Sequence, residues 1–450
     1  MDYKKLTASY KDEMLTKLKE FVAINSQYDE ATVSKENPFG IGVSKALNYI
    51  AEVARKDGFK VTVYNNMIVE ILAGQGDKNI TIMAHADVVP AGSGWDQDPF
   101  EVVNKDGVLF ARGVADDKGP LLSCYYGLKA LKDNNLLGDY SVRFLVGGNE
   151  ESGSRGVEYY FNELKKPQPT LGFSPDSAYP LTYGEKGMYN YEVKSNFEVK
   201  GLISLKGGVA FNAVIEKAEA YLMNDESLKN ALLKYKDLEI NDLGDVIKVI
   251  CYGKAAHGSL PWEGDNAGIK LVAILGDVLD SKEFKKIASL YTDTRGKGIN
   301  ADYRNEEMGT NSMCVGIISY ENNEFYMTVN FRYINNIDVA KMIKDINSAN
   351  KDFTLNVLSE SKLLYYPLDS VLVSTLLKVY QEETGDYETK PLTSGGGTYA
   401  KEADNVIAFG MEYPGWDAHM HSPNESIKVD HLVDSMGIFA RAIVELGKKL

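Results

Sequence analysis

The feature that most constrains the fold of this 450-residue chain is a series of short polar motifs, each placed where an apolar, strand-like run ends. The run at residues 79–84 leads into His85. The run at residues 140–146 leads into Glu150, and a third run ends at Asp176. Open α/β folds bring such motifs together at the carboxyl edge of a sheet. The sequence therefore predicts an α/β fold with a mixed, mainly parallel sheet flanked by helices, and a polar site at that edge.

Composition and charge exclude several classes of partner. The net charge of −15 is opposite to the basic face that a nucleic acid or an anionic membrane requires. The sequence has no apolar run of membrane-spanning length, and its first residues lack the apolar core of a signal peptide. The three cysteines lie far apart without a C-x-x-C spacing, which favours reduced thiols. We therefore expect a cytoplasmic protein that binds neither nucleic acid nor a membrane.

The first polar motif contains His85 and Asp87. Residues i and i+2 of an extended chain project to the same side, so Asp87 can hydrogen-bond the imidazole nitrogen that does not bind a metal. Such a bond would fix the tautomer of a histidine ligand. For an isolated H-x-D triplet, the alternative is a surface pair at a turn.

Two consecutive aspartates, Asp116 and Asp117, precede a helical pattern that is expected to begin near Pro120. A carboxylate can bridge two cations through its two oxygens, and Asp116 is the candidate for that bridge. The alternative is helix capping, because a helix start favours a negative charge at the place of Asp117. Capping alone does not require two aspartates.

Two adjacent glutamates, Glu150 and Glu151, stand between glycines after the next apolar run. Neighbouring side chains of an extended backbone leave opposite faces, so one can bind a metal while the other faces a reacting water. We assign Glu151 as the ligand and Glu150 as the general base. A solvated acidic loop is the alternative, and the flanking glycines weaken it because they permit close approach of the backbone.

Asp176 and a histidine of the segment at residues 418–425 complete the candidate ligands. Two histidines, His419 and His421, lie in that segment, and the H-x-x-N-E arrangement singles out His421. We expect His419 to be a neighbour that does not bind a metal. A polar loop without chemistry is the alternative for both motifs.

Together the candidates form two sets of three ligands that share one carboxylate. Three protein ligands per ion leave a position for water, as in catalytic zinc sites. Nitrogen and oxygen ligation without thiolate suits zinc, and Co²⁺ or Mn²⁺ can substitute. We therefore expect two Zn²⁺ per chain. The first set is His85, Asp116 and Asp176, and the second is Asp116, Glu151 and His421.

The patterning along the chain changes twice. Residues 1–186 alternate helical and strand patterns, whereas residues 187–365 contain strand patterns of period two interspersed with helices. Residues 366–450 return to helix, Gly-rich loop and strand. We therefore expect a discontinuous catalytic domain, formed by the first and last of these segments. The segment between them would be an inserted, two-lobed α+β lid domain.

These motifs resemble those of the dizinc metallopeptidase family that includes aminoacylase, carnosinase, succinyl-diaminopimelate desuccinylase and glutamate carboxypeptidase. The match is carried by H-A-D-V-V-P at residues 85–90, R-G-V-A-D-D-K-G-P at 112–120 and N-E-E-S-G-S at 149–154. Within the family, the chain is most similar to the bacterial PepV-type dipeptidases over nearly its whole length. The ligand assignments made above agree with the family pattern.

The resemblance also implies groups that bind the substrate. Asn212 matches a substrate-contacting asparagine, and His257 matches a histidine that helps to stabilise the tetrahedral oxyanion. Arg332 matches an arginine that binds a carboxylate. A Gly-rich loop is expected to bind the same carboxylate through its backbone N–H groups, although a Gly triplet alone is more often a flexible turn. That loop contains Ser394, Gly395, Gly396 and Gly397.

We therefore expect a zinc dipeptidase in which Glu150 deprotonates a water that attacks the peptide carbonyl of a free dipeptide. One alternative is an N-acyl amino acid deacylase with the same metals. The other is a metal-binding scaffold without activity, which the presence of Glu150 beside Glu151 argues against. The resemblance to PepV-type enzymes implies that the long insert takes the place of a partner chain, so we expect a monomer.

Overall fold

The computed structural model describes all 450 residues, which form two compact units. The first unit contains residues 1–184, 364–392 and 397–450, and the second contains residues 185–363 and 393–396. Each unit has its own hydrophobic core. None of the helices combines the length and the apolar character that crossing a membrane requires.

A mixed nine-stranded sheet forms the centre of the first unit. The apolar runs identified in the sequence form its parallel strands, with Asn79–His85 between Ser141–Gly147 and Leu171–Ser174. Val406–Ala408 extends the parallel part beyond Leu171–Ser174. The predicted α/β class is therefore confirmed. The main path of the sheet runs Lys60–Tyr64, Ile68–Gly74, Ser141–Gly147, Asn79–His85, Leu171–Ser174, Val406–Ala408, Thr182–Glu185 and Leu364–Tyr365, and Leu392–Ser394 lies off this path.

Helices with one apolar face flank this sheet. Residues Lys11–Val22 form an amphipathic helix, which buries Met14, Leu18 and Phe21. The helix expected near Pro120 begins two residues earlier and spans Lys118–Asp133. The remaining helices of the unit are Tyr3–Thr7, Ile41–Lys56, Arg155–Glu158, Val371–Thr384 and Val429–Gly447, with short 3-10 or π turns at Ala8–Tyr10, Glu30–Thr32, Tyr159–Glu163 and Tyr399–Glu402.

Two small sheets join loops of the first unit that are distant in sequence. Ser426–Lys428 pairs with Val108–Phe110, which in turn pairs with Val103–Lys105. This pairing brings the loop after Val108–Phe110 beside the loop that precedes Ser426–Lys428. The second small sheet joins Ser177–Ala178 to Met411–Glu412.

The second unit is an α+β structure around a continuous antiparallel sheet of eight strands. The patterns of period two noted in residues 187–365 include those of its strands Gly187–Asn196, Val246–Tyr252 and Glu324–Tyr333. The order of the strands is Leu238–Asp242, Val246–Tyr252, Lys217–Met223, Leu202–Gly207, Ser312–Glu321, Glu324–Tyr333, Gly187–Asn196 and Thr354–Ser361. The unit also contains the strand pair Arg304–Asn305 and Gly309–Thr310, the helices Glu226–Leu232, Ala267–Val278, Lys282–Tyr291 and Val339–Ala349, and the 3-10 turn Pro261–Glu263.

Candidate metal centre

Two histidines approach the same carboxylate at the carboxyl edge of the large sheet. His85 is the last residue of its strand, and its Nε2 lies 3.0 Å from Oδ1 of Asp116. His421 places its Nε2 2.9 Å from the other oxygen, Oδ2, of the same aspartate. Each oxygen of Asp116 therefore faces a different imidazole. This is the arrangement that a carboxylate bridging two cations requires.

The other candidate ligands surround this pair on the two sides expected from the sequence. Asp176 follows the strand Leu171–Ser174, and its Oδ2 lies 3.6 Å from Nε2 of His85. Oε1 of Glu151 lies 3.3 Å from Nε2 of His421. Ligand atoms of His85, Asp116 and Glu151 lie within 4.8 Å of one another, as do those of His85, Glu150 and Asp176.

Asp87 lies beside the ring of His85, as expected, and forms further contacts. Nδ1 of His85 lies 2.9 Å from the backbone oxygen of Asp87 and 3.4 Å from its carboxylate oxygen Oδ1. The carboxylate of Asp87 accepts hydrogen bonds from the backbone N–H groups of Glu150 and Glu151, both at 3.1 Å. The backbone carbonyl and the carboxylate of Asp87 thus both face the imidazole, and the carboxylate also holds the turn that carries the two glutamates.

The charge distribution of the cluster fits cations. Burial raises the pKa of Glu150, and the neighbouring Asp176 raises it further. Burial also raises the pKa of Glu151, and the charge of Asp116 raises it further, while the contact with His421 opposes both effects. Burial opposes ionisation of Asp116, but hydrogen bonds from His421 and His85 lower its pKa. Several neighbouring carboxylates that cannot all ionise together are a donor set that divalent cations would complete.

Glu425 holds the loop of Asp116 in place, a role that we did not assign from the sequence. Its Oε1 accepts the backbone N–H groups of Gly113, Ala115 and Asp116 at 3.0, 2.8 and 3.1 Å. Its Oε2 accepts a hydrogen bond from Nη1 of Arg112 at 2.6 Å. Both residues belong to motifs already noted in the sequence. Glu425 is the last residue of the H-x-x-N-E arrangement that begins at His421, and Arg112 is the first residue of the motif that contains Asp116.

Two further buried side chains support the centre. Asp117 occupies the N-cap position of the helix Lys118–Asp133 but forms no capping bond, and its Oδ2 instead accepts the backbone N–H of His85 at 2.9 Å. The hydroxyl of Tyr399 accepts the backbone N–H of Asn149 at 3.3 Å. A Cβ atom at Gly147 would lie 2.2 Å from this hydroxyl, so only glycine fits at the end of that strand.

His419 is exposed and lies 3.9 Å from Asp417, which is also exposed.

The second unit brings His257 and Asn212 together. The backbone N–H of Gly258 donates to the carbonyl of Asn212 at 2.7 Å, and a β-bridge joins Ala213 to His257. Nδ1 of His257 lies 2.6 Å from Oγ of Ser259 and 3.4 Å from the backbone nitrogen of Ser259. The ring itself is exposed.

Arg332 lies in the same unit, close to part of the Gly-rich loop. Its Nη1 donates to the carbonyl of Gly395. The N–H of Gly396 donates to Oγ of Ser394 at 2.9 Å, so this amide already has an internal partner. Gly397, the last residue of the predicted loop, belongs to the first unit.

Comparisons with known proteins agree with this architecture. Relatives of nearly the same length include "Putative dipeptidase YtjP" of Bacillus subtilis (strain 168), which is 33% identical over 458 residues that cover 97% of this chain and 98% of that protein. "Putative dipeptidase SAR1836" of Staphylococcus aureus (strain MRSA252) is 32% identical, with 99% of each chain covered.

Two solved structures share the fold. Human carnosine dipeptidase 1 superimposes with a TM-score of 0.59 at 15% identity, covering 99% of each chain. The dipeptidase Dug1p of Saccharomyces cerevisiae gives 0.60 at 16% identity, covering 99% of this chain and 98% of that one. The model of Peptidase family M20/M25/M40 matches residues 81–445. The chain therefore belongs to the M20/M25/M40 family of peptidases.

Proposed function

We propose that this peptidase is a zinc-dependent dipeptidase with two Zn²⁺ per chain, for which Co²⁺ or Mn²⁺ can substitute. The observation that carries the proposal is the position of Asp116, whose two oxygens lie 3.0 and 2.9 Å from the imidazoles of His85 and His421. A structural site for one ion has no need of a carboxylate shared in this way. The dipeptidase names of the full-length relatives support the choice of substrate class.

Five side chains would hold the two ions, and Asp116 would be shared between them. His85, Asp116 and Asp176 would hold the first ion, and Asp116, Glu151 and His421 would hold the second. When bound, the ions would supply the Lewis acidity that makes water acidic and polarises a peptide carbonyl. Asp87 and Glu425 would keep these ligands in place through the backbone bonds described above.

Glu150 is the proposed general base. Its side chain lies beside the ligand cluster, within 4.8 Å of the ligand atoms of His85 and Asp176, but it is not needed to complete either ligand set. It would accept a proton from the attacking water and return that proton to the amine that leaves. Burial raises the pKa of this carboxyl group above its ordinary value, which suits a group that both accepts and returns a proton.

Groups of the second unit are proposed to bind the substrate. The imidazole of His257 would donate a hydrogen bond to the oxygen of the tetrahedral intermediate, and Asn212 would contact the substrate beside it. Arg332 and the loop of Ser394 to Gly397 would bind the carboxylate at the end of the dipeptide. We further propose that the protein acts in the cytoplasm as a monomer and resembles the PepV-type enzymes.

Hydrolysis of matched substrates tests the proposal. Protein loaded with zinc should release amino acids from free dipeptides and should hydrolyse their N-acetylated forms much more slowly. Faster hydrolysis of N-acetyl amino acids would identify a deacylase instead. Bound zinc without turnover of either substrate class would indicate a metal-binding scaffold.

A further inference from the structure

The hydroxyl of Tyr399 completes a set of acceptors for three consecutive backbone amides. The N–H of Asn149 donates to this hydroxyl at 3.3 Å. The next two N–H groups, of Glu150 and Glu151, donate to the two carboxylate oxygens of Asp87, both at 3.1 Å. Asn149 is buried, and a buried N–H that lacks an acceptor raises the free energy of the folded protein. The turn that begins at Asn149 therefore depends on Tyr399 as well as on Asp87.

Packing of the Tyr399 ring fixes where this hydroxyl lies. The ring is buried against the backbone of Gly147, where a Cβ atom would lie 2.6 Å from Cζ and 2.7 Å from Cε2 of the ring. It also meets the imidazole of His85 edge to face, with ring centroids 6.2 Å apart. The hydroxyl of Thr398 accepts the N–H of Ala400 at 3.2 Å and so caps the short turn that carries Tyr399. The hydroxyl of Tyr399 is therefore held in place independently of its own hydrogen bond.

The hydroxyl of Tyr399 also remains neutral. Burial raises the pKa of Tyr399 well above its ordinary value, and the charge of Asp87 raises it further, while His85 opposes both effects. The neutral hydroxyl oxygen has lone pairs that accept a backbone N–H. A phenylalanine at this position would fill the same space but would leave the N–H of Asn149 without an acceptor. The contribution of the hydroxyl can therefore be separated from that of the ring.

We propose that Tyr399 is a positioning residue for the general base, whose hydroxyl anchors the N–H directly before Glu150 and so fixes where the carboxylate of Glu150 lies. Proton transfer requires the base to stand within hydrogen-bond reach of the reacting water, and a small displacement of a catalytic group lowers the rate strongly. The N–H of the proposed ligand Glu151 is held by Asp87 instead. Tyr399 should therefore act on the rate of the chemical step rather than on the binding of metal or substrate. This role rests on the dipeptidase function proposed above.

Tyr399→Phe tests this role, because it removes the hydroxyl and keeps the ring. We expect kcat for a free dipeptide to fall roughly 10-fold, as for the loss of one buried hydrogen bond that holds a catalytic group. KM and the zinc content should remain those of the wild-type enzyme, because no ligand and no proposed substrate-binding group loses a contact. An unchanged kcat, or a rise in KM that accounts for the whole loss of activity, would overturn the positioning role.

A second substitution shows whether Tyr399 acts through Glu150. In protein that already carries Glu150→Gln, the base is absent, so Tyr399→Phe should not lower the residual rate any further. The same roughly 10-fold loss in both backgrounds would show that the hydroxyl acts independently of Glu150, and would overturn the positioning role.

Tyr125→Phe is the matched control. Tyr125 is a buried tyrosine of the same unit, and its hydroxyl donates to Oδ2 of Asp57 at 2.7 Å, away from the candidate ligands. We expect this variant to lower Tm and to leave kcat unchanged. An equal loss of kcat in Tyr125→Phe and Tyr399→Phe would replace the positioning role by a general effect of destabilisation.

Amide hydrogen exchange, resolved to single residues by mass spectrometry, separates this inference from the function on which it rests. In the wild-type protein the amide of Asn149 should be protected, as should those of Glu150 and Glu151. Tyr399→Phe should speed exchange at Asn149 and leave the strand Ser141–Gly147 unchanged. An unprotected Asn149 in the wild type, or unchanged exchange in the variant, would overturn the inference. If the wild-type protein hydrolyses no dipeptide, the proposed function fails, while hydrogen exchange still decides whether Tyr399 holds this turn.

Discussion

Arg112 and Glu425 form a fully buried ion pair, with Nη1 and Oε2 2.6 Å apart, that ties the loop of Asp116 to the loop of His421. Burial raises the pKa of Glu425 to about 7, and the nearby Asp116 adds to this effect, while Arg112 and the backbone N–H groups oppose it. The carboxylate of Glu425 therefore has a structural role. It fixes the backbone that carries Asp116, the proposed shared ligand.

Glu425→Gln should therefore weaken metal binding without removing any ligand. The amide oxygen can still accept backbone N–H groups, but the charge that pairs with Arg112 is lost. We expect zinc affinity to fall roughly 10- to 100-fold, as for other residues that orient metal ligands. Competition with a chelator measures this. Glu445→Gln, which changes a surface pair with Lys448, is the control and should leave the affinity unchanged. Equal affinities of wild-type and Glu425→Gln protein would contradict the positioning role.

The role of Glu425 could not be predicted from the sequence, although its motif was recognised. Its partner Arg112 is 313 positions away, and the contact depends on the pairing of Val108–Phe110 with Ser426–Lys428. By contrast, strands such as Asn79–His85 were predictable because their apolar runs are local. The proximity of His85, Glu150 and Asp176 followed from a general rule on strand ends.

The contacts of Asp117 and Asp87 show a second limit of sequence reasoning. Asp117 occupies a capping position, yet its carboxylate binds the N–H of His85. The carboxylate of Asp87 lies beside His85 as predicted, but it also accepts the backbone N–H groups of Glu150 and Glu151. Residue type and spacing indicate that a carboxylate can accept hydrogen bonds. Only the tertiary structure determines which N–H groups lie within reach.

Glu150→Gln should separate catalysis from metal binding. The amide cannot accept the proton of the attacking water, so kcat should fall by roughly 10² to 10⁴. Zinc content, measured by elemental analysis, should remain that of the wild type. The exposed Glu158, changed to Gln, serves as a control with full activity. Activity near the wild-type level in Glu150→Gln would show that another group is the base.

His431 should make the folded state less stable as the pH falls. Its ring stacks on Tyr413 with centroids 4.1 Å apart, and its buried Nδ1 has no hydrogen-bond partner. Burial, followed by the charge of Lys428, lowers its pKa to about 4. Protonation of His431 is therefore less favourable in the folded state than in the unfolded chain, where the ring takes up a proton below about pH 6.5. The stability contribution of the neutral ring is fully present above that pH and is lost between about pH 6.5 and 4.

His431→Gln tests this window, because it removes the titrating group. Unfolding of metal-free protein by urea at several pH values gives the comparison. Between pH 6.5 and 4, the free energy of unfolding should fall more for the wild type than for the variant. Above pH 7, it should depend on pH in the same way for both proteins. The exposed His419, changed to Gln, should behave like the wild type. Parallel pH profiles for wild type and His431→Gln would refute the assignment.

Mixing two inactive variants tests the proposed monomer. His257→Ala lacks the proposed oxyanion group, and Glu150→Gln lacks the proposed base. If each chain supplies both groups to its own substrate, a mixture should remain as inactive as either variant alone. Regained activity would show that two chains share their groups, and sedimentation of the wild type would then reveal a dimer.

Titration of metal-free protein with zinc, while hydrolysis of a free dipeptide is followed, tests the central claim most directly. Two ions sharing Asp116 predict that activity reaches its maximum at two equivalents of zinc per chain. Asp116→Ala should bind neither ion tightly and should remain inactive, whereas Asp417→Ala at an exposed position should behave like the wild type. Full activity at one equivalent, or two tightly bound zinc ions in Asp116→Ala, would contradict the account.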